Sequence, residues 1–173
     1  MTEKERIKND RKTLTTMVIV DAQSVKNTDT AQEKGYDGGK KISGIKRHIA
    51  VDTQGLPHAL GITTANITDR KGALDIFESY KKDLKLTEKV LADGGYTGDP
   101  FRKETKKILN AKVEIAKRSE LHKFEVIPKR WVVERCFAWL EKSRRLWKNC
   151  ERLLSSSLAM MKLGFIRILL KRF

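Results

Sequence analysis

The sequence predicts a mixed α/β fold in which helices cover a β-sheet. Short runs of β-branched residues, typical of buried strands, alternate with stretches whose apolar residues recur every three or four positions, as in amphipathic helices. The chain has 173 residues, of which 39% are apolar and 34% charged, and such values are typical of one globular domain. This order of elements indicates a layered α/β architecture rather than an all-helical domain.

The first third of the chain contains the strands that begin the predicted sheet. A run of Val and Ile over residues 17–22 predicts a buried strand. Residues 27–44 are polar and rich in glycine, so we expect a loop there. Residues 48–52 and 58–64 are typical of the two strands of a hairpin. Residues 1–16 are polar and basic, and we expect them to form a flexible leader before a domain over 17–173.

The remaining residues alternate helices and strands, and the chain ends in two basic helices. Caps, prolines and glycines set the expected boundaries of these elements. The predicted elements are a helix over 71–84 capped by Asp69, a strand over 89–92, a helix from Asp99 to about 109, a strand over 111–116, a helix from Pro128 to about 147, and a helix over about 155–171.

The charge of the chain is strongly positive and unevenly distributed. Lys and Arg number 37 against 22 Asp and Glu, which gives a formal net charge of +15. Residues 128–173 hold 12 basic and 3 acidic side chains, so more than half of the excess lies in the last quarter of the chain. A polyanion is the expected partner of such a protein, and nucleic acid is the common case. The C-terminal region is therefore the expected contact surface.

Several classes of protein are disfavoured by the composition. The two cysteines, Cys136 and Cys150, are too few for a secreted disulfide scaffold and favour reduced cytosolic thiols. The apolar C-terminal stretch is interrupted by charges such as Lys162 and Arg167, which argues against a membrane span. The three histidines lack the spacing of a zinc site. We therefore expect a cytoplasmic protein that does not enter a membrane.

Three acidic residues occupy positions at which a carboxylate could be held rigidly. Asp21 ends the first strand, Asp93 ends a later strand and precedes Gly94 and Gly95, and Glu134 lies in the first turns of a long helix. Carboxylates that hold two divalent ions about 4 Å apart can transfer phosphoryl groups without a histidine base. Hard oxygen ligands select Mg²⁺ or Mn²⁺.

A plainer interpretation of the same acids is also open at this point. Asp21 and Asp93 also fit turn positions at strand ends, and Glu134 fits an ordinary helical partner of Arg130. Asp37 and Asp52 are the rival candidates for a metal site, although Asp52 fits a hairpin turn better.

Basic and aromatic residues form a second set of candidates. On a helical wheel, Glu134 shares its face with four other charged residues, and this face suits a polyanion; they are Arg130, Glu141, Arg145 and Lys148. Lys46 and Arg47 are expected either to contact DNA phosphate or to protect a strand edge. Tyr96 is expected either to support a DNA strand beside Asp93 or to pack, and Trp131 falls outside the apolar stripe of its helix.

Five motifs, in order along the chain, resemble those of the DDE transposases of bacterial insertion sequences. The motifs are Val18-Ile-Val-Asp-Ala-Gln-Ser-Val, Gly44-Ile-Lys-Arg-His-Ile-Ala-Val-Asp, Thr64-Ala-Asn-Ile-Thr-Asp, Leu91-Ala-Asp-Gly-Gly-Tyr-Thr-Gly and Arg130-Trp-Val-Val-Glu-Arg-Cys-Phe-Ala-Trp-Leu. The resemblance covers about residues 17–170 and implies a ribonuclease-H-like mixed sheet flanked by helices.

The resemblance implies a site and a reaction. In this family two aspartates and a helical glutamate coordinate two Mg²⁺ ions, and the matching residues here are Asp21, Asp93 and Glu134. The implied reaction is hydrolytic nicking at the ends of the element, followed by attack of the freed 3′-OH on target DNA. Arg130 matches the arginine of the family's C-terminal motif, but that motif's final base falls on Glu141 here. The neighbouring bases are expected to replace it; they are Lys142, Arg144 and Arg145.

The resemblance also implies partners and leaves rival functions open. Double-stranded DNA, as element ends and as target, is the implied substrate, and a homo-oligomer in a synaptic complex is the implied assembly. Related full-length transposases carry a further N-terminal region, so this chain resembles a truncated copy or a second-frame product that works with an upstream-frame product. A nucleoid-associated cytoplasmic location follows. The rivals are a catalytically inactive truncated transposase that acts as a DNA-binding regulator, and a general nuclease of the same fold.

Overall fold

The computed structural model describes residues 1–116 and 130–171. Within these ranges the chain forms six strands and five α-helices. The strands are β1 (Met17–Lys26), β2 (Gly35–Asp37), β3 (Ile42–Val51), β4 (Pro57–Thr64), β5 (Lys89–Ala92) and β6 (Lys112–Ile115). The helices are α1 (Thr2–Lys8), α2 (Asp69–Ser79), α3 (Asp99–Leu109), α4 (Arg130–Glu141) and α5 (Leu154–Leu170).

The six strands form one mixed sheet, as expected for a layered α/β protein. The strand order is β2-β3-β1-β5-β6, and β4 pairs with β3. β3 is antiparallel to β1, to β2 and to β4, whereas β5 is parallel to both β1 and β6. β1 and β3 are therefore interior strands, and the parallel β1–β5 pair lies in the middle of the sheet.

The two faces of the sheet carry separate apolar cores because successive strand residues point to opposite sides. Val18 and Val20 of β1 pack on one face, with Phe77 of α2 and Phe101 of α3. Ile19 and Leu91 pack on the other face within a cluster that also holds α4 and α5 residues; these include Val133, Phe137, Met161 and Phe165. The helices thus form one layer on each side of the sheet.

The last helix belongs to the core of the domain. Met161, Phe165 and Leu169 of α5 are buried. Gly164 allows the close approach of the preceding segment, because a Cβ at this position would lie 2.6 Å from Leu146 Cδ1. Within the described ranges no helix is both long and apolar enough to cross a membrane.

The N-terminal segment is more ordered than its composition suggested. Instead of a flexible leader, residues 2–8 form α1, and its Arg6 is buried against Asp52 in an ion pair. Arg6 also donates to the carbonyl oxygens of Lys12 and Leu14, at 2.8 and 3.2 Å. Asp52 accepts the backbone N–H groups of Gln54 and Leu56, which confirms its role in the hairpin turn. A contact across 46 residues leaves no local signal in the sequence.

Two predicted boundaries in the first half shift for local reasons. The expected loop over 27–44 contains β2 and the start of β3, because Gly35–Asp37 pairs with Ile42–Gly44 in a tight hairpin. The cap of α2 is Thr68 rather than Asp69, since its Oγ1 accepts the N–H of Lys71 at 3.2 Å.

The predicted helix over 128–147 is also shorter than expected. α4 ends at Glu141, and the chain then turns so that the Asn149 N–H donates to the Lys26 carbonyl at 2.9 Å. Pro128, the expected start of this helix, lies outside the described residues. The contact with the end of β1 replaces a further helical turn and removes Arg145 and Lys148 from the α4 face.

Replacement of Arg6 by methionine should destabilise the protein. Asp52 would remain buried without its charged partner, and breaking a buried ion pair typically costs about 3–5 kcal/mol of unfolding free energy. Urea unfolding followed by circular dichroism measures this loss. Arg11→Met, which removes an exposed arginine that donates to Thr53 Oγ1, is the matched control and should change stability by less than about 0.5 kcal/mol. Equal stability of Arg6→Met and the wild type would contradict this role.

Candidate active site

Asp21 and Asp93 lie side by side on the central parallel strands. The last pair in the β1–β5 register is Ile19 with Leu91; Asp21 follows two residues later within β1, and Asp93 follows two residues later, directly after β5. Neighbouring strands are about 4.8 Å apart, and residues two apart point to the same face. Asp21 and Asp93 therefore share a row on the sheet face that α4 covers. The backbone at Asp93 is still extended, with φ −82° and ψ −179°.

The environment of Tyr96 includes the charges of both aspartates. Burial raises the pKa of Tyr96 well above its ordinary value, and the charges of Asp21, Asp69 and Asp93 raise it further. The ring packs against Phe101 with centroids 5.4 Å apart. Among the described residues its hydroxyl has no hydrogen-bond partner. Tyr96 thus packs beneath the site, so the role of contacting a DNA strand is not supported.

Local backbone contacts hold one oxygen of each aspartate. Asp93 Oδ1 accepts the N–H of Gly95 at 2.9 Å, at the start of a 3₁₀ turn over Gly94–Tyr96. Asp21 Oδ1 accepts the N–H of Ala22 at 2.7 Å. A Cβ at Gly94 would have no neighbour within 4 Å, so this turn leaves open space next to Asp93. The site therefore combines fixed carboxylates with room for a bulky substrate.

Glu134 lies on the helix above the same face but does not complete a cluster. Its side chain is exposed on α4. In the parts of the chain that the structure describes, no three Asp, Glu, His or Cys side chains are close enough together to hold a metal ion. The paired oxygens of Asp21 and Asp93 are the donors that hard divalent ions prefer, so these two residues fit such an ion. A ligand role for Glu134 remains a prediction.

The rival acids have structural partners instead. Asp37 accepts from Ser24 Oγ at 2.5 Å and lies 3.4 Å from Lys46 Nζ. Burial alone would raise its pKa, but hydrogen bonds from Ser24 and the Lys40 N–H, together with the charge of Lys46, lower the pKa of Asp37 to about 2. Asp52 forms an ion pair with Arg6 and accepts the Leu56 N–H within the hairpin turn. Both acids therefore stabilise the fold.

Lys46 and Arg47 are not exposed to a polyanion, which corrects the expected DNA contact. Lys46 Nζ lies 2.9 Å from Asp69 and donates to the Ile67 carbonyl at 2.8 Å. The Arg47 side chain faces the opposite side of β3, is 2% exposed, and has its pKa lowered by burial to about 10. The alternative of a strand-edge pair is also wrong, because β3 is an interior strand.

The other expected DNA contacts are on the surface after α4. Lys142, Arg144 and Arg145 are exposed, and Arg145 pairs with Glu151 at 2.7 Å. The side chain of Arg130 lies outside the described residues. Glu141, which stands where the family has a base, accepts from Gln23 Nε2 at 2.8 Å and so joins the end of α4 to β1.

A family comparison identifies the class of protein to which these features belong. Residues 12–169 match the family model described as the transposase DDE domain. The chain belongs to the DDE transposase family. A curated relative of this DDE transposase domain is a candidate transposase for insertion sequence element IS402 from Burkholderia cepacia, 34% identical over 128 residues. The match covers 70% of this chain, and it spans about 60% of the length of that relative.

Solved structures confirm the ribonuclease-H-like fold of the DDE domain. The catalytic core domain of BIV integrase matches with a TM-score of 0.52 and 11% identity, over 87% of this chain and 81% of that one. A chain of the simian T-cell lymphotropic virus intasome, solved in complex with the PP2A regulatory subunit B56 gamma, matches with a TM-score of 0.56 and 14% identity, over 88% and 48% of the two chains. At these identities the likeness concerns the fold alone.

The sequence patterns did not predict a cation–π contact on α4 of the DDE domain. The Arg135 guanidinium lies between two tryptophan rings of α4, 4.4 Å from the centroid of Trp131 and 4.5 Å from that of Trp139. Trp131 is 51% exposed, which confirms that it lies outside the apolar stripe. The spacing of four residues on either side of Arg135 was the available signal, because residues four apart are neighbours on a helix.

Acid should destabilise the DDE domain partly through Asp37. The pKa of Asp37 is about 2 in the folded protein, against an ordinary value of 3.8. The stabilisation that its charge adds to the unfolding free energy is therefore complete above about pH 4 and is lost as the pH falls towards 2. We expect Asp37→Asn to lower the unfolding free energy at about pH 5 and to have a much smaller effect at about pH 2.5. Urea unfolding at the two pH values checks this, with the exposed Asp83→Asn as control. An equal effect at both values would contradict it.

Proposed function

We propose that this chain is the catalytic part of a transposase that uses divalent metal ions to cut and join DNA at the ends of an insertion sequence. One observation carries the proposal: in a chain of the DDE family, Asp21 and Asp93 share a row on adjacent parallel strands. The relative's name, a candidate transposase for an insertion sequence, supports the same activity.

Asp21 and Asp93 would hold the metal ions, with Glu134 as the third ligand supplied from α4. Bound Mg²⁺ or Mn²⁺, as two ions, activates the attacking oxygen and stabilises the leaving oxygen of a phosphodiester. Glu134 is exposed and lies on the helix that packs over Ile19 and Leu91.

The chain's own residues position the substrate and the helix. Gly94 leaves open space beside Asp93, which would allow a sugar-phosphate backbone to approach the carboxylates. Gln23 links Arg47 to Glu141: its Oε1 accepts from Arg47 at 3.4 Å, and its Nε2 donates to Glu141 at 2.8 Å. These two hydrogen bonds attach the end of α4 to β1 at Gln23, which is two residues beyond Asp21. We therefore assign Gln23 and Glu141 to positioning the helix that carries Glu134.

Double-stranded DNA is the proposed partner, bound through the basic surface after α4. Lys142 and Arg144 are exposed there, whereas Lys46 and Arg47 are buried. We further propose a homo-oligomer that brings two element ends together, with an upstream-frame product as a possible companion, in the nucleoid-associated cytoplasm. The relative is longer than the matched region, so these partners are proposals about the whole protein.

A DNA-binding regulator without catalysis is the second candidate. It is favoured by the present position of Glu134, which does not form a metal-holding cluster with the aspartates among the described residues. A regulator would bind element ends with the same basic surface and would need no third carboxylate. The two functions differ in one measurable respect, the cutting of DNA in the presence of Mg²⁺.

Asp93→Asn should abolish metal-dependent nicking and joining of element-end DNA. We expect a loss of about 1,000-fold or more, because several kcal/mol of transition-state charge stabilisation depends on the metal ligands. Calorimetry should show weaker Mn²⁺ binding, and metal-free DNA affinity should be unchanged. The exposed Asp83→Asn is the matched control. Undiminished cutting by Asp93→Asn would refute the site, and DNA binding without cutting by the wild type would favour the regulator.

The affinity for DNA should fall steeply with salt. Each lysine or arginine that neutralises a phosphate adds about one unit to the slope of log affinity against log salt. We expect Lys142→Ala and Arg144→Ala each to reduce this slope by about one, and Lys82→Ala, an exposed lysine after α2, to leave it unchanged. Fluorescence anisotropy at several salt concentrations measures the slopes. A wild-type DNA affinity that does not change with salt concentration would argue against a polyanionic partner.

A further inference from the structure

A basic cleft lies beyond the carboxyl-terminal end of β1. It has a volume of about 480 Å³ and is lined on one side by Lys26 and Asn27 and on the other by Tyr36, Lys41 and Ser43. A space of this size accommodates a small ligand or a single nucleotide but is much too small for a duplex. We call it the β1–β2 cleft.

The β1–β2 cleft lies past the end of β1, in line with the strand that carries Asp21. Side chains alternate along β1, so Asp21 and Asn27 point to the same side. The pairing continues past the strand, because the Asn27 N–H donates to the Ser43 carbonyl at 3.3 Å, and Ser43 in turn pairs with Tyr36. At about 3.3 Å per residue, the five residues from Asp21 to Lys26 span roughly 17 Å. A DNA strand with the 3.4 Å rise of a stacked duplex would cover this distance in about five nucleotides, and a more extended unpaired strand would cover it in fewer.

The charge in the cleft suits a phosphate backbone. Lys26, Lys34 and Lys41 all line it and are exposed, and Asp29 is the one acid among the lining residues. These lysines are separate from the buried Lys46, whose ammonium group is held by Asp37 and Asp69. The β1–β2 cleft therefore offers a cationic surface beyond the end of the strand that carries Asp21.

Tyr36 gives the cleft an aromatic surface. It is 58% exposed, which is unusual for a tyrosine in a strand, and lies on the short edge strand β2. An aromatic ring beside several lysines is the combination with which proteins bind single-stranded nucleic acid, since bases stack on the ring and phosphates contact the cations.

Lys41 occupies a backbone conformation that suits a glycine. Its φ is +53°, in the left-handed region, at the turn between β2 and β3. A lysine is strained there relative to glycine. This allows its charge to be removed without an expected loss of stability.

We propose that the β1–β2 cleft binds one unpaired nucleotide of the DNA strand whose phosphodiester lies at Asp21 and Asp93. The base stacks on Tyr36, and the flanking phosphates contact Lys26, Lys34 and Lys41. This inference rests on the proposed function for its substrate, and it adds a second contact within about five nucleotides of the reacting phosphate. The strand must be unpaired at this point, because a base in a duplex cannot stack on a side chain.

The first test compares Tyr36→Ala with Tyr36→Phe. Fluorescence anisotropy in metal-free buffer measures binding of a labelled duplex with a single-stranded extension, and of a fully paired duplex of the same length. We expect Tyr36→Ala to weaken binding of the extended DNA by about 5- to 100-fold, Tyr36→Phe to bind like the wild type, and the paired duplex to be little affected. An equal effect of Tyr36→Ala on both DNAs, or none on either, would overturn the proposal.

The second test locates the nucleotide. An abasic position is moved along the extension, and we expect the wild type to lose affinity at one position within about five nucleotides of the cleavage point, while Tyr36→Ala shows no such loss. Wild-type binding that is insensitive to every abasic position would overturn base stacking and leave only phosphate contact.

The third test distinguishes DNA binding in the cleft from a general effect of positive charge on DNA affinity. The triple variant Lys26→Ala, Lys34→Ala, Lys41→Ala should weaken binding of the extended DNA much more than Lys81→Ala, Lys82→Ala, Lys85→Ala, which removes equal charge before β5, at the opposite end of the sheet. Lys41→Gly should bind more weakly while its Tm stays equal or rises. Equal losses in the two triple variants would overturn the proposal.

These binding measurements need no metal and no cleavage, so they distinguish the two proposals. If a base stacks on Tyr36 but the wild type does not nick DNA, the catalytic function is refuted and the proposal of nucleotide binding in the β1–β2 cleft stands. If the wild type nicks DNA with metal but substitutions of Tyr36 and the cleft lysines do not change DNA binding, the catalytic function stands and nucleotide binding in the cleft is refuted.

Discussion

The parallel pairing of β1 with β5 is the constraint on which the candidate site depends. Asp21 and Asp93 are far apart in the sequence, and this register alone puts them in one row. A slip of one residue would turn one aspartate to the opposite face of the sheet, against the core that holds Phe77 and Phe101. The apolar residues Ile19 and Leu91 prevent such a slip, because they must face α4 and α5.

Buried charges attach the surrounding segments to this central pair of strands. Arg6 fixes α1 to the β3–β4 turn through Asp52, and Lys46 ties β3 to the start of α2 through Asp69. Arg47 reaches the end of α4 through Gln23. Each cation would be costly to bury alone, so each must meet an acceptor from another element. These bases therefore contribute to the net charge of the chain without contributing to its exposed basic surface.

Sequence patterns predicted the features that depend on neighbouring residues. Asp21 and Asp93 were recognisable because each follows an apolar run, and Trp131 because it breaks the helical stripe. The same reasoning failed for Lys46 and Arg47, whose charge suggested exposure, because their partners come from distant parts of the chain. It also missed β2 and the β1–β2 cleft, since a three-residue edge strand carries too short a pattern to stand out from a glycine-rich loop.

The sequence by itself determined the α/β class, the two candidate aspartates, the family and the excess of positive charge, although β1 continues past Asp21 to Lys26 instead of ending there. These follow from local periodicity, composition and motif order, which need no knowledge of contacts. Only the tertiary structure decided which basic residues are exposed, where α4 ends, and that among the described residues Glu134 does not form a three-residue metal-holding group with the aspartates. The physical reason is that burial and pairing of a charged side chain depend on which distant segment folds against it.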